Sequence, residues 1–227
     1  MTENEKKEKF NTDEFFIEKI QYSEIDEVAN ILTDAFKTNP AYSIIFRKKE
    51  HLEDGLLWLF KTNLFMINQK QFFTNVVKKK NTGKIIGTYT LIPPQGTKNT
   101  FSTYSKIGLP RFILKFGINS LIRMLSLDRY NKKLLTGSMK ISGYYYLSMV
   151  VVGKEYQGKG VGTYAIKHAI RELMSSNPAC NLVGLTTQLP ENVIFYSRLG
   201  FEKLDEGYVN FKGDEYYNCN MRKKKTD

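Results

Sequence analysis

The chain has few cysteines and no long apolar segment, and each shortage argues against a class of protein. Cys180 and Cys219 are the only cysteines among 227 residues, too few for a disulfide-stapled secreted fold. Because no run of about 18 apolar residues occurs, we expect no transmembrane helix. Residues 1–9 mix acids and bases without an apolar centre, which is not the pattern of a secretory signal. We therefore expect a cytoplasmic protein with reduced, buried thiols.

Positive charge is in excess, because the chain has 34 Lys and Arg residues but only 23 Asp and Glu residues, which gives a net charge of +11. Three partners would account for it: nucleic acid, an anionic membrane surface or a small polyanionic ligand. Basic residues cluster at Arg222–Lys225 and at residues 106–140, where eight bases accompany one acid, Asp128. Neither cluster contains a nucleic-acid-binding motif. We therefore favour a small ligand with several phosphates over nucleic acid or a membrane.

A glycine-rich segment lies between an apolar, β-branched run and an amphipathic run. The first run predicts a strand over residues 144–152, and the second predicts a helix over 160–174. A helix N-terminus has unpaired amides and partial positive charge, which suit a phosphate. Glycines remove the Cβ atoms that would keep an anion away from the backbone. We interpret the segment as a pyrophosphate-binding loop formed by Gln157, Gly158, Lys159, Gly160, Val161, Gly162 and Thr163.

The spacing of the glycines separates this loop from two other phosphate-binding loops. A Walker loop has four residues between its glycines and then Lys and Ser or Thr, and a dinucleotide fingerprint reads G-x-G-x-x-G. Gly158, Gly160 and Gly162 alternate, so neither pattern fits. The loop resembles the Q/R-x-x-G-x-G/A signature of the GNAT family of N-acetyltransferases. A second segment, Glu191–Phe201, resembles the family's later N-x-x-x-Y…G-F element, in the family's order and spacing.

The resemblance implies fold class α/β (α+β), with a single domain built on a mixed, mostly antiparallel twisted sheet that has helices on both faces. Periodicity agrees with this fold. We divide the chain into a flexible tail (residues 1–12), the domain (13–222) and a basic tail (223–227). Predicted strands cover residues 15–20, 72–78, 84–91, 144–152, 182–187, 201–205 and 215–221, and predicted helices cover 25–36, 50–68, 160–174 and 191–199.

Residues 100–138 do not match the family and are predicted to be a helical insertion. Apolar residues recur at helical spacing over Leu109–Leu127, with Gly117 as a potential break. One interpretation is a helical element packed on the core. A second is a wall of the acceptor site, and a third is docking to a membrane surface. The sequence leaves these alternatives open.

The resemblance also implies a chemistry: transfer of an acetyl group from acetyl-CoA to a primary amine by direct attack in a ternary complex, without a metal. In the family, the strand before the loop offers backbone groups to pantetheine. Val150, Val151 and Val152 match that strand, and the amide of Val150 or Val151 is the expected donor to the thioester carbonyl. Tyr196 matches the family's tyrosine beside the CoA sulfur, and a phenol suits protonation of a thiolate. Asn192 would cap its helix or bind pantetheine.

The general base is missing from its expected position. Many relatives carry a Glu on the strand that here reads Leu182–Gln188, which contains no carboxylate. Glu155 is expected to face solvent and Glu191 to favour a helix start. His51 and His168 are interpreted mainly as packed or solvated side chains.

An alternative function is a non-catalytic acyl-CoA-binding module that senses the ligand or scaffolds a partner. The missing base favours it, whereas Tyr196, which a pure binder would not need, argues against it. As partners we expect a small-molecule or peptide amine, with the protein a monomer or a homodimer. Within the family, Tyr145-Tyr146-Leu147 and Asn192–Phe201 resemble the puromycin-acetyltransferase-like branch.

Overall fold

Strands and helices alternate along the computed structural model, which describes residues 12–97, 106–141, 143–176 and 182–224. The strands in these ranges are β1 (Phe15–Lys19), β2 (Thr74–Lys79), β3 (Ile85–Ile92), β4 (Tyr145–Val152), β5 (Leu182–Thr187), β6 (Glu202–Phe211) and β7 (Asp214–Lys224). The α-helices are α1 (Ile25–Phe36), α2 (Pro40–Ile45), α3 (Lys49–Ile67), α4 (Leu109–Phe116), α5 (Ile118–Met139), α6 (Val161–Ser176) and α7 (Pro190–Arg198).

One sheet joins the strands in the order β1-β2-β3-β4-β5-β7-β6. Neighbours are antiparallel except for β4 and β5, which are parallel. The β4–β5 pairing is short and covers Tyr145 with Val183 and Tyr146 with Gly184. Beyond these pairs the two strands diverge and leave a gap. The mixed, mostly antiparallel sheet confirms the predicted fold class.

Apolar side chains bury both faces of the sheet. On one face, α6 presents Val161, Ala165, Ile166 and Ala169, whose helical spacing forms one stripe. On the other face, α1 and α3 cover the sheet with residues such as Leu32 and Phe60. Helices therefore lie on both faces, as predicted.

Two elements differ from the prediction. No helix was predicted between residues 37 and 49, but α2 begins at Pro40, where the Asn39 side chain caps the helix by accepting a hydrogen bond from the Ala41 amide at 3.0 Å. Strands β6 and β7 form a longer hairpin than expected, turning at Lys212 (φ +55°) and Gly213 (φ +90°). Strand β7 also includes Lys223 and Lys224, which were predicted to belong to the basic tail.

The insertion forms two helices packed on the core. Gly117, with φ +82°, separates α4 from α5. Phe112 and Leu127 are buried in the same cluster as the residues of α1 and α3, and the Trp58 and Phe112 rings lie 4.2 Å apart. This packing agrees with the first of the three interpretations. Residues 100–105 of the predicted insertion lie outside the described part of the chain.

Two further findings concern membrane-spanning helices and the cysteines. None of the helices among the described residues is long and apolar enough to cross a bilayer. Cys219 is fully buried on β7, and this burial raises the pKa of its thiol to about 11. Cys180 lies outside the described residues.

Candidate active site

The gap between β4 and β5 exposes backbone groups of β4. Strand β3 bonds alternately to its two neighbours, and the Leu91 amide donates to Phe73 on the β2 side. Tyr89, two residues earlier, therefore also directs its backbone groups toward β2. The register with β4 shifts at this point, and Met149 has φ +48°. Met149 and Val150 thus lack a backbone partner on β3, and the Val150 amide is free.

The same alternation separates the two amides predicted to bind the thioester. The Gly153 amide donates to the Ile86 carbonyl at 2.9 Å, and Val151 is paired with Thr88. The Val151 amide therefore points to β3, and the Val152 amide points into the gap. Of the two predicted donors, Val150 has the suitable orientation, while the Val151 side chain packs in the core.

The loop after β4 has a fixed backbone conformation. A short 3-10 turn, Lys154–Tyr156, leads into it, and the Gln157 side chain donates to the Val152 carbonyl at 2.9 Å. Gly158 and Gly160 have φ values of +74° and +86°, which glycine adopts with little strain. The backbone of the loop itself therefore requires these two glycines.

The loop presents free amides at the start of α6. The first hydrogen bond of that helix runs from the Tyr164 amide to the Gly160 carbonyl at 3.0 Å. The backbone amides of residues 158–163, including those of Lys159 and Val161, donate no hydrogen bond within the described residues. The Thr163 hydroxyl also has no partner there. These donors and the positive end of the helix dipole fit a pyrophosphate.

Lysines surround the same loop. The ammonium groups of Lys79, Lys84 and Lys159 lie 5.6, 5.8 and 5.9 Å from the centre of the Tyr156 ring. Lys84 also contacts Glu155 at 2.6 Å, and this hydrogen bond lowers the pKa of the Glu155 carboxyl. The cluster favours an anionic ligand, and Glu155 is not poised to act as a base.

Tyr196 is held by the end of its own helix. Its carbonyl accepts from the Phe201 amide at 3.1 Å, in a helix end that uses Gly200 at φ +81°. Its ring centre lies 5.5 Å from that of Phe201. The side chain is only 8% exposed, and burial raises its pKa above the ordinary value, so the phenol is neutral.

The Tyr196 hydroxyl has no hydrogen-bond partner among the described residues. A buried polar group without a partner is costly and rare in native proteins. A ligand atom at the gap would supply the missing partner. The Glu191–Phe201 motif thus has two parts. One forms the C-terminal end of α7, and the other is the Tyr196 hydroxyl, which has no partner in the fold.

Asn192 joins α7 to β5 rather than capping its helix. Leu189 occupies the N-cap position, and the Asn192 side-chain nitrogen donates to the Thr187 hydroxyl at 3.2 Å. The Asn192 side-chain oxygen accepts no hydrogen bond from the described residues, so it is available to a ligand amide. Of the two predicted roles, helix capping is therefore not the one observed.

A row of polar side chains lies at the end of the gap, and sequence reasoning missed it. The Asn39 amide nitrogen donates to the Gln188 side-chain oxygen at 3.3 Å, and the Gln188 nitrogen donates to Asn218 at 3.3 Å. Asn39 and Asn218 are almost fully buried. Only Asn218 of the three lies in a strand, and the three residues come from distant segments, so no local sequence pattern indicates the row.

The other groups considered as bases have different roles. Glu191 is exposed at the start of α7. The His51 ring packs 5.5 Å from that of Phe116. His168 shares a hydrogen bond with the Tyr89 hydroxyl at 3.2 Å. None of the three side chains is brought to Tyr196.

Two open surface hollows lie away from the loop. One, of about 590 Å³, is lined by Val193, Ile194 and Lys203 among others. The other, of about 440 Å³, lies beside Tyr130 and Lys133 on α5. Neither has the convergent donors found at the gap, so the gap is the candidate site.

Comparisons with known proteins agree with this geometry. The sequence profile described as "Acetyltransferase (GNAT) family" matches residues 26–201. The structure resembles "histone acetyltransferase HPA2 and related acetyltransferase" of Corynebacterium glutamicum, with 18% identity, a TM-score of 0.60, and coverage of 94% of this chain and 98% of that one. It also resembles arylalkylamine N-acetyltransferase 2 of Aedes aegypti, with 15% identity, a TM-score of 0.56, and coverage of 92% and 98%.

A curated relative is much longer than this chain. It is a probable serine/threonine-protein kinase of Dictyostelium discoideum, 25% identical over an alignment of 218 residues that covers 90% of this chain and 22% of that protein. The chain therefore spans about a fifth of the length of the curated relative it matches. The family match extends over most of the chain and includes both the glycine loop and the Tyr196 segment. The protein belongs to the acetyltransferase (GNAT) family.

Proposed function

We propose that the protein transfers the acetyl group of acetyl-CoA to a primary amine by direct attack within a ternary complex. One observation carries the proposal: an anion-binding loop and an unpaired, buried phenol lie on the two strand–helix units that flank one gap in the sheet. The loop suits the pyrophosphate of the donor, and the phenol of Tyr196 suits its sulfur.

Donor binding would use mainly backbone groups. The amides of residues 158–163 would hold the pyrophosphate, and the Thr163 hydroxyl would add one hydrogen bond. Val152 and the Asn192 side-chain oxygen offer polar groups to the pantetheine amides. The Val150 amide would donate to the thioester carbonyl and stabilise the negative charge that develops there.

In the transfer step, the lone pair of the neutral amine attacks the thioester carbon, and the carbon–sulfur bond breaks with its electron pair on sulfur. Tyr196 donates its proton to the thiolate, and the proton lost by the amine nitrogen returns to Tyr196 through water. The products are an amide and a thiol. Cys219 is buried with a raised pKa, which favours direct attack over an acyl-cysteine intermediate.

The proposed acceptor is a small-molecule or peptide amine. The Aedes aegypti neighbour is an arylalkylamine N-acetyltransferase by name, which supports a small amine. The puromycin-acetyltransferase-like branch, the cytoplasmic location and the monomeric or homodimeric state stay predictions. The alternative of a non-catalytic acyl-CoA-binding module makes a different experimental forecast.

The test measures thiol release from acetyl-CoA in the presence of polyamines, aminonucleosides, aminoglycosides and peptides with free N-termini. We expect amine-dependent release with at least one class, and mass spectrometry should show an added acetyl group on that amine. The Tyr196→Phe variant serves as the matched control. Tight binding of acetyl-CoA by calorimetry without release for any amine would support the binding module instead.

A further inference from the structure

Gln188, in the middle of the polar row at the end of the gap, lies across the gap from Val150. Strands β4 and β5 run parallel, pair at Tyr146 and Gly184, and then diverge. Val150 is four residues beyond Tyr146, and Gln188 is four residues beyond Gly184. Because each strand rises about 3.3 Å per residue, the two residues stand at a similar level on opposite sides of the gap. The row is therefore next to the backbone amide expected to bind the thioester.

The polar row lies on the sheet face opposite the anion-binding loop. Successive side chains of a strand point to opposite faces of a sheet. Asn218 shares its face with Tyr216, which packs in the cluster of α1 and α3, whereas Cys219 packs in the cluster of α6. Asn39 lies in the connection between α1 and α2, on the same face as Asn218. A donor held on the α6 side and an acceptor that enters from the α1–α2 side would therefore meet in the gap, with the row beside the acceptor.

One backbone amide fixes the orientation of all three side-chain amides in the row. The Ala41 amide can only donate, and it bonds the Asn39 side-chain oxygen at 3.0 Å. The Asn39 nitrogen therefore faces Gln188 and donates to its side-chain oxygen at 3.3 Å. The Gln188 nitrogen in turn donates to the Asn218 side-chain oxygen at 3.3 Å. Every bond of the row thus points the same way, and the row ends at the Asn218 side-chain nitrogen.

The Asn218 side-chain nitrogen donates no hydrogen bond to any of the described residues, since the one bond of this side chain is accepted by its oxygen. Asn218 is 2% exposed, so bulk water has little access to the nitrogen. A buried donor without a partner is costly and rare in native proteins. The row contains no charged side chain, so its free end favours an uncharged oxygen over a second ammonium group.

Hydrogen bonds also connect the row to the helix of the proposed proton donor. The Thr187 hydroxyl, next to Gln188 in the chain, accepts from the Asn192 side chain at 3.2 Å and from the Leu189 amide at 3.4 Å. Asn192 lies one turn before Tyr196 on α7. The position of Gln188 is therefore fixed relative to the helix that carries Tyr196.

We propose that the Asn218 side-chain nitrogen donates a hydrogen bond to an uncharged oxygen of the acceptor, so the acceptor is an amine that also carries an ether, hydroxyl or carbonyl oxygen. This inference rests on the proposed acetyl transfer and names the substrate class of the same site. Asn39 and Gln188 are positioning residues, because they set the direction of the Asn218 amide. A site built around a hydrogen bond rejects an analogue without the bonding atom, since its own donor is then left unpaired.

The experiment measures kcat/KM at saturating acetyl-CoA for pairs of amines that differ in one atom, such as 3-methoxypropylamine and pentylamine, over a series of spacer lengths. An ether oxygen accepts a hydrogen bond but cannot donate one, so each pair isolates the Asn218 donor. We expect the wild type to prefer the ether by at least about tenfold in at least one pair. Amino alcohols and amino amides of the same lengths show whether a hydroxyl or a carbonyl oxygen is preferred.

Three variants test the direction of the row. Asn218→Asp keeps the oxygen that accepts from Gln188 but replaces the free nitrogen by an oxygen, so the preference for the ether should be lost. Gln188→Glu should have the same effect, because a carboxylate at position 188 attracts the Asn218 nitrogen and turns the free end of that amide into an acceptor. Asn210→Asp is the matched control, since Asn210 is exposed and its oxygen accepts from the Gly213 amide at 3.1 Å. The preference should be unchanged in this control.

The outcomes separate this inference from the proposed function. A wild type that acetylates amines without favouring the ether in any pair overturns the role of the row alone, and so does an Asn218→Asp or Gln188→Glu variant that keeps the preference. A wild type that binds acetyl-CoA but acetylates no amine overturns the proposed function, and the inference with it. Thermal unfolding shows whether each variant is folded, and Gln188→Glu decides the question if Asn218→Asp does not fold.

Discussion

The Phe195 ring lies 3.2 Å from the point that a Cβ on Gly162 would occupy, and Val152 lies 3.5 Å from it. Gly162 thus lets the start of α6 approach α7 across the β4–β5 gap. This role differs from that of Gly160, where glycine is needed because the backbone φ is positive. The alternating glycines of the motif therefore serve two purposes, backbone conformation and close packing of helices.

Gly162→Ala should strain this contact. The added methyl group forces the Phe195 ring to shift by a few tenths of an ångström, which we expect to cost on the order of 1 kcal/mol of folding free energy. Phe195→Leu in the same chain should recover most of that cost. A double-mutant cycle by denaturant unfolding measures the coupling, and additive effects of the two substitutions would contradict the packing role.

Gly160→Ala tests the anion-binding loop. A non-glycine residue at φ +86° costs about 1–2 kcal/mol and displaces the amides that would bind the pyrophosphate. Affinity for acetyl-CoA should fall at least tenfold, about 1.4 kcal/mol. Gly83→Ala is the control, because Gly83 has φ +69° and nothing within 4 Å of an added Cβ. Equal affinity loss in both variants, measured by calorimetry, would refute a local role for Gly160.

Much of the fold follows from the sequence, because periodicity and turn residues act locally. The bounds predicted for β5 match those observed, residues 182–187, and Gly117 divides the insertion as expected. Helix α2 was missed because its six residues are too few to show a helical period, although Asn and Pro suit the N-cap and the first helical position. The full β6–β7 hairpin was missed because its turn at Lys212 and Gly213 lacks the more common Asn-Gly pair.

The sequence predicted only those parts of the candidate site that consecutive residues form. The loop amides depend on consecutive residues, and so does the helix end that holds Tyr196. The free amide of Val150 depends instead on a register shift between two strands, which no local pattern encodes. The Asn39–Gln188–Asn218 row joins three segments that only the folded sheet brings together.

Lys78 offers a test of stability away from the site. Its side chain is 10% exposed and contacts the carboxylates of Glu18 and Glu24. Desolvation lowers its pKa, but the two carboxylates outweigh this and raise the pKa above the ordinary value of 10.5. Lys78→Met leaves both carboxylates without their partner and should destabilise the fold by about 3–5 kcal/mol. Lys84→Met, in an exposed pair with Glu155, should have a much smaller effect on stability, because water and salt screen an exposed ion pair.

The stability difference between the wild type and Lys78→Met should depend on pH with a defined sign. A group with a raised folded pKa contributes its full stabilisation below its unfolded pKa and loses it as pH rises through the folded pKa. The stability gap between wild type and Lys78→Met should therefore be constant near neutrality and shrink above pH 10.5. Urea unfolding at a series of pH values measures it, and a gap that grows with alkalinity would exclude the ion cluster as its source.

Tyr196→Phe keeps the ring packed on Phe201 and removes only the hydroxyl. Loss of a general acid costs about 10²–10⁴-fold in rate, so kcat should fall by that factor while the acetyl-CoA KM changes little. Tyr89→Phe is the matched control, because that buried phenol bonds His168 outside the gap. Proton donation requires the neutral phenol, which exists below its pKa. Because burial raises that pKa, wild-type kcat should show no alkaline loss due to Tyr196 below about pH 10. A fall near pH 8 that disappears in Tyr196→Phe would show instead that the phenol ionises readily and that its burial does not protect the acid form.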